Sequence, residues 1–132
     1  MRPIPVGAKG TYSLRVMPAH LANQFKDVSL PQVFATPMMV TAMENAALNA
    51  VRDYLDAGES AVGTGVNVRH LAATPVGHQV TAVAEVTKVD GRHIEFKVSA
   101  RDEIEEIGNG THERMVVDMA RLDQRLKAKK RP

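Results

Sequence analysis

After the dipeptide Thr36-Pro37, no proline or glycine occurs until Gly58. Thr36 offers a hydroxyl for the N-cap, and Pro37 suits the first helical position, where no amide donor is needed. The stretch therefore predicts one helix of about twenty residues. Met39, Val40, Met43, Ala47 and Leu48 recur along it at helical spacing, which suits burial. One carboxylate, Glu44, lies among them, with Val40 and Leu48 one helical turn before and after it. Buried there, it would lose hydration and its pKa would rise unless donors or a cation compensated. At the edge of the apolar stripe it would instead reach solvent, as most glutamates do.

Around this helix the period is two. Tyr12, Leu14 and Val16 alternate in "GTYSLRVM", a short strand, and residues 18–35, with Pro18 and Pro31, read as a loop with room for a helical turn. Beyond Gly58, "SAVGTGVNVRHLA" places Val62, Val66, Val68 and His70 on one strand face. "TPVG" at 74–77 punctuates, "QVTAVAEVTKV" follows, and Asp90-Gly91 signals a hairpin into "RHIEFKVSARD", with Ile94, Phe96 and Val98 on one face. "IGNG" at 107–110 reads as another turn before "THERMVVDMARL", where Met115, Val117 and Met119 alternate. One strand, one long helix and four strands in hairpin succession make an α+β domain with the helix on one face of an antiparallel sheet. A sheet wrapped around a single apolar helix is the hot-dog fold.

The sequence pI of about 9.1 invites a nucleic-acid reading, which the charge map opposes. The last twelve residues, "RLDQRLKAKKRP", hold six of the seventeen Lys and Arg; the body is left with eleven cations against fourteen acids. Aromatics are 4% of the chain and no basic-aromatic stripe appears, so no nucleic-acid footprint is expected. Residues 1–122 read as the domain and 123–132 as a frayed, solubilising tail. Without cysteine there are no disulfides and no thiolate chemistry. No apolar run reaches the ~18 residues of a membrane span, and no signal peptide is visible, so the expected location is cytoplasmic.

His70 shares the inward face of its strand with Val66 and Val68, and a polar ring there needs a partner. It is either a satisfied core residue or, with the strand packed on the helix, the partner of Glu44. Thr36 precedes Glu44 by about 12 Å along the helix axis. One protomer is thus not expected to gather all three, whereas a symmetric dimer would. The remaining histidines show no metal-ligand spacing.

Three separated blocks carry a family resemblance: "PQVFATPMMVTAME" at 31–44, "VGTGVNVRHLAATPVG" at 62–77 and "EIGNGTHERMVV" at 106–117. Together they resemble the fluoroacetyl-CoA thioesterase-like family of the hot-dog thioesterase superfamily. The resemblance implies Thr36, Glu44 and His70 as catalytic residues and Gly63 and Arg114 as substrate contacts. It further implies an acyl-CoA substrate of short to medium chain, no cofactor or metal, and a homodimer or higher homo-oligomer. Fluoroacetyl-specific members carry lid phenylalanines upstream of the "FAT" block and a glycine after the threonine. Here Asp27, Leu30 and Pro37 stand at those places, with Phe25 and Phe34 nearby. Taken alone, Thr36 is also a plain N-cap, Gly63 a close-approach glycine and Arg114 a solvated strand residue. The rival functions are a hot-dog enoyl-thioester hydratase and a non-catalytic acyl-CoA-binding module.

Overall fold

The computed structural model describes residues 1–131. Strand β1 (Lys9–Arg15) leads through a 3-10 turn (Pro18–His20) and a single helical turn, α1 (Ala22–Phe25), to the central helix α2 (Thr36–Val51). Four strands follow, β2 (Glu59–His70), β3 (Gln79–Asp90), β4 (His93–Arg101) and β5 (Glu106–Asp118), and then helix α3 (Met119–Ala128). The strands form one antiparallel sheet in the order β1-β3-β4-β5-β2. Helix α2 packs chiefly against β1 and β3. No helix among the described residues is long and apolar enough to cross a membrane.

The core forms where the two periodicities meet. Met39, Ala42, Met43, Ala46, Ala47 and Val51 of α2 are almost wholly buried against Val80, Ala82, Ala84 and Val86 of β3 and Ile94, Phe96 and Val98 of β4. Each large side chain among them stabilises the fold by about 1.5–3 kcal/mol through burial. The alanines bring the helix close to the sheet, and β4 places its alternating residues as expected. Helix α2 has 16 residues and continues as a 3-10 turn over Arg52–Tyr54, close to the predicted length.

Four expectations change. The N-cap is Ala35, with Thr36 as the first helical residue, because the Thr36 hydroxyl bonds elsewhere. Val62 of β2 faces outward at 37% exposure, since a bulge between Gly63 and Gly65 inserts a residue and reverses the faces on either side of it. In β5 the inward set is His112, Arg114 and Val116, while Met115 lies outward. "IGNG" is not a turn but part of β5. A Cβ on Gly108 would stand 2.5 Å from the Met39 sulfur, so the glycine there serves close packing against α2. Helix α3 (Met119–Ala128) spans the position of the expected boundary at 122/123. Asp118 accepts the Arg121 amide as an N-cap, and Leu122 is half buried.

The turn between β4 and β5 is made instead by Asp102. Its carboxylate accepts the amides of Ile104 and Glu105 and the hydroxyl of the buried Thr74 at 2.8–2.9 Å. The Thr74 carbonyl in turn accepts the Phe34 amide just before α2. One buried carboxylate thus ties the β4–β5 turn to the loop after β2 and to the entry of the central helix. Burial pushes the Asp102 carboxyl up, but the two amides, the Thr74 hydroxyl and His78 outweigh it and hold its pKa below the usual value.

Asp102→Ala leaves these donors without their acceptor and should lower unfolding stability by about 2–4 kcal/mol. A depressed folded-state pKa contributes stability above the unfolded value, about 3.9, and loses it as pH falls through the folded one. Urea unfolding of wild type and variant should therefore show a constant gap from pH 7 down to about pH 4, narrowing only in stronger acid. A gap that closes by about pH 5 contradicts this role.

Candidate active site

Two polar clusters lie along α2. The first forms at its N-terminus, where β2 ends. The Thr36 hydroxyl and Nδ1 of His70 are 2.8 Å apart. The bulge makes this meeting possible, because after Gly65 the even-numbered residues of β2, ending in His70, turn toward the helix. The other ring nitrogen of His70, Nε2, is buried with no hydrogen-bond partner. Burial lowers the pKa of His70, opposed by the backbone of Ala72, so the ring favours its neutral form. A neutral imidazole beside a hydroxyl is a proton-transfer pair.

This pair opens on a cleft of about 380 Å³ between the segment before α2 and the loop after β2. Lys26, Leu30, Val33 and Phe34 line one side, and Leu71, Ala72 and Ala73 the other. Asp27 does not take part; its carboxylate holds a turn by accepting the amide and hydroxyl of Ser29. Phe34 is buried at the base, and Phe25 lies outside the lining, half exposed.

The second cluster sits two turns further along α2. A Cβ on Gly63 would stand 2.7 Å from Oε2 of Glu44, so the carboxylate as placed lies directly against this glycine and would have to move aside for any side chain there. Gly63 pairs with Arg114 across the β2–β5 ladder. Arg114, 8% exposed, donates through Nε and Nη2 to the Ala61 carbonyl at 3.1 and 2.6 Å, and through Nη1 to the Glu44 carbonyl at 3.3 Å. Burial pushes the guanidinium pKa down and Glu44 opposes it; the group stays charged. Carboxylate, guanidinium and glycine therefore share one patch, with Arg114 buried, Glu44 partly exposed and Gly63 exposed.

Of the five residues read from the sequence, the structure joins Thr36 to His70 and, separately, Glu44 to Gly63 and Arg114. Within the protomer His70 pairs with Thr36 and not with Glu44, in keeping with the expectation that one protomer does not gather all three. His70 ends β2 beside the start of α2, whereas Glu44 lies opposite the Gly63 end of the same strand. A sixth residue escaped the sequence reading. His112, 1% exposed, stacks on Phe96 and lies between Gly65 and Arg114. The available signal was the parity it shares with Arg114 and Val116. Burial pushes its pKa down, the Gly65 carbonyl opposes this, Arg114 adds to it, and Glu44 and Glu113 oppose it.

The sequence profile of the fluoroacetyl-CoA-specific thioesterase family matches residues 16–120. A fluoroacetyl-CoA thioesterase from Streptantibioticus cattleyicolor is 40% identical over 129 residues, covering 94% of this chain and 93% of its own. A solved structure of a fluoroacetyl-CoA thioesterase superposes with a TM-score of 0.92 at 37% identity, over 98% of this chain and 99% of that one. A thioesterase-superfamily member from Thermus thermophilus superposes with a TM-score of 0.89 at 32% identity, over 98% and 97% of the two chains. The sheet wrapped on one long helix is thus the hot-dog fold of thioesterases.

Both rings, His112 buried and His70 partly so, carry depressed folded-state pKa values, so the stability they contribute is present above the unfolded value, about 6.5, and is lost as pH falls through the folded values. An NMR titration of the ring protons should place the midpoints of His70 and His112 below about 6.5. A midpoint above that value for either ring contradicts the burial described here.

Proposed function

The chain belongs to the fluoroacetyl-CoA-specific thioesterase family, and from that premise we infer that it hydrolyses acyl-CoA thioesters to the free acid and coenzyme A. We assign Thr36, Glu44 and His70 to catalysis and Gly63 and Arg114 to substrate contact. The observation that carries this assignment is the Thr36–His70 pair at the cleft, with Nε2 of His70 buried and unpaired. If the Thr36 hydroxyl donates to Nδ1, the ring's one proton sits on Nε2 and requires an acceptor. The carboxylate of Glu44 from a second copy would be that acceptor.

Two features support this composite site. Along α2, Pro37, Val40, Thr41, Glu44 and Leu48 form a stripe that the protomer leaves partly open. The twelve-residue strand β2 stands at the sheet edge with its outer row of backbone groups unpaired. A homodimer that pairs β2 edge to edge and lays the two α2 helices side by side covers both, as the family resemblance implies.

Thioester hydrolysis asks little beyond a nucleophile, a base and stabilisation of the oxyanion. In this reading the Glu44 carboxylate attacks the carbonyl carbon or activates a water molecule that does so. His70, neutral near pH 7, takes and returns the proton; Thr36 holds the attacking group. The first turn of α2 presents the positive end of its dipole to the developing oxyanion. Arg114, fixed in the wall, supplies positive charge near the thioester.

The acyl range we propose is broader than fluoroacetyl. A variant of the fluoroacetyl-CoA thioesterase has been solved with acetyl-CoA, a two-carbon acyl group. Here Leu30 lines the cleft, Asp27 is committed to its turn and Phe25 lies aside, so no aromatic lid seals the opening. Each further methylene buried there contributes about 0.8 kcal/mol.

The test is release of free thiol from a series of acyl-CoA thioesters. Glu44→Gln should lower kcat by about 100-fold or more. For the wild type, kcat/KM for butyryl-CoA should equal or exceed that for acetyl-CoA, since competing substrates are discriminated there. Near-normal turnover in a folded Glu44→Gln variant refutes the assignment. Hydration of crotonyl-CoA without thiol release would mark a hydratase, and binding without turnover a sensing module.

A further inference from the structure

His112 touches Arg114, one of the two residues assigned to substrate contact, and Gly65, two residues along β2 from the other. Its Nδ1 lies 2.8 Å from the Gly65 carbonyl, at the end of the bulge that turns Gly63 inward. Its Nε2 lies 3.2 Å from Nη1 of Arg114. A carbonyl only accepts and a guanidinium only donates, so the two contacts fix one state of the ring. Nδ1 carries the proton, Nε2 presents its lone pair, and the imidazole is neutral. Phe96, stacked at 5.7 Å, holds the ring plane so that neither contact can be exchanged by rotation.

The consequence falls on Arg114. With Ala61 accepting from Nε and Nη2, and Glu44 and His112 accepting from Nη1, all but one of the guanidinium's N–H donors are committed. The remaining donor, on Nη2, is held in one direction. The groups that face His112 are Arg114 and Glu113 from β5 and Glu44 from α2; β2 and β4 contribute the uncharged Gly65 and Phe96. A second proton on His112 would turn an N–H toward the guanidinium and break the contact that orients it.

We propose that His112, as the neutral Nδ1–H tautomer, is the positioning residue for Arg114 and thereby sets the affinity of the site for its acyl-CoA substrate. This rests on Arg114 contacting substrate, as assigned above. His112 itself touches no reacting atom. Because an acyl-CoA contact held by a pre-oriented donor strengthens binding more than turnover, the effect belongs in KM.

The experiment compares His112→Asn, His112→Gln and Arg114→Met in thiol-release kinetics, with thermal melts as the folding control. An asparagine amide can still donate to the Gly65 carbonyl but does not reach Arg114; the longer glutamine places an acceptor oxygen toward the guanidinium. His112→Asn should raise KM about tenfold, the equivalent of one lost hydrogen bond, with kcat changed by less than about threefold. His112→Gln should restore KM to within about threefold of wild type. Arg114→Met should raise KM at least as far as His112→Asn does. If Arg114→Met leaves KM unchanged, the substrate-contact reading fails and takes this inference with it. If Arg114→Met raises KM and His112→Asn does not, or if glutamine fails to rescue a folded protein, only the positioning role is overturned. Nitrogen-15 NMR of the wild type needs no variant: it should show His112 protonated on Nδ1 and bare on Nε2, and the opposite tautomer overturns the proposal.

Discussion

Thr64 is the extra residue of strand β2: Gly63 pairs with Arg114 and Gly65 with Glu113, leaving Thr64 without an opposite number. Before it the odd-numbered residues Ala61 and Gly63 face the helix; after it the even-numbered ones do. Gly63 therefore clears space for the Glu44 carboxylate, the Gly65 carbonyl turns to His112, and His70 arrives inward beside Thr36. Without the insertion a regular strand could present Gly63 to Glu44 or His70 to Thr36, but not both. Bulges recur next to active sites for this reason, since they re-aim side chains at small cost to the ladder.

Polar groups brought inward must be satisfied, and the structure does so in distinct ways. Arg114 spends its donors on the Ala61 and Glu44 carbonyls and on His112, which compensates for the desolvation of a charge held in the wall. Asp102 collects two amides and a hydroxyl, and through Thr74 and Phe34 it fixes the chain that enters α2. Among the described residues three buried side-chain atoms stay without a hydrogen-bond partner: Oδ1 of Asn23, Nδ1 of His78 and, at the candidate site, Nε2 of His70. A buried polar group left unpaired costs about 1–3 kcal/mol.

The helix was legible because Thr36-Pro37 and the breaker-free run after it are local signals, and β4 because Ile94, Phe96 and Val98 alternate without interruption. The bulge was not legible, since "VGTG" keeps an apparent alternation through Val62, Val66 and Val68 while the backbone reverses it. β5 misled for a different reason: Met115 and Val117 are the apolar residues, yet the inward positions carry His112 and Arg114, whose burial depends on bonds from other elements. "IGNG" looked like a turn because glycine serves tight turns and close packing equally, and Met39 against Gly108 shows that the second applies. The basic tail hid a helix that Asp118 caps. Of the site, the resemblance named five residues; their separation into two clusters was foreshadowed only by the rise between Thr36 and Glu44.

The central claim is that these clusters become one site when two copies of the chain meet. It can be tested by mixing Glu44→Gln with His70→Ala under conditions that allow subunit exchange. Each variant alone lacks an essential group in every site. In a heterodimer, one site would combine the intact Thr36–His70 of the first variant with the intact Glu44 of the second. The account predicts that thiol release from acyl-CoA returns to about a quarter of the wild-type rate once an equal mixture has exchanged. A mixture that exchanges subunits and stays as inactive as its parents would contradict it.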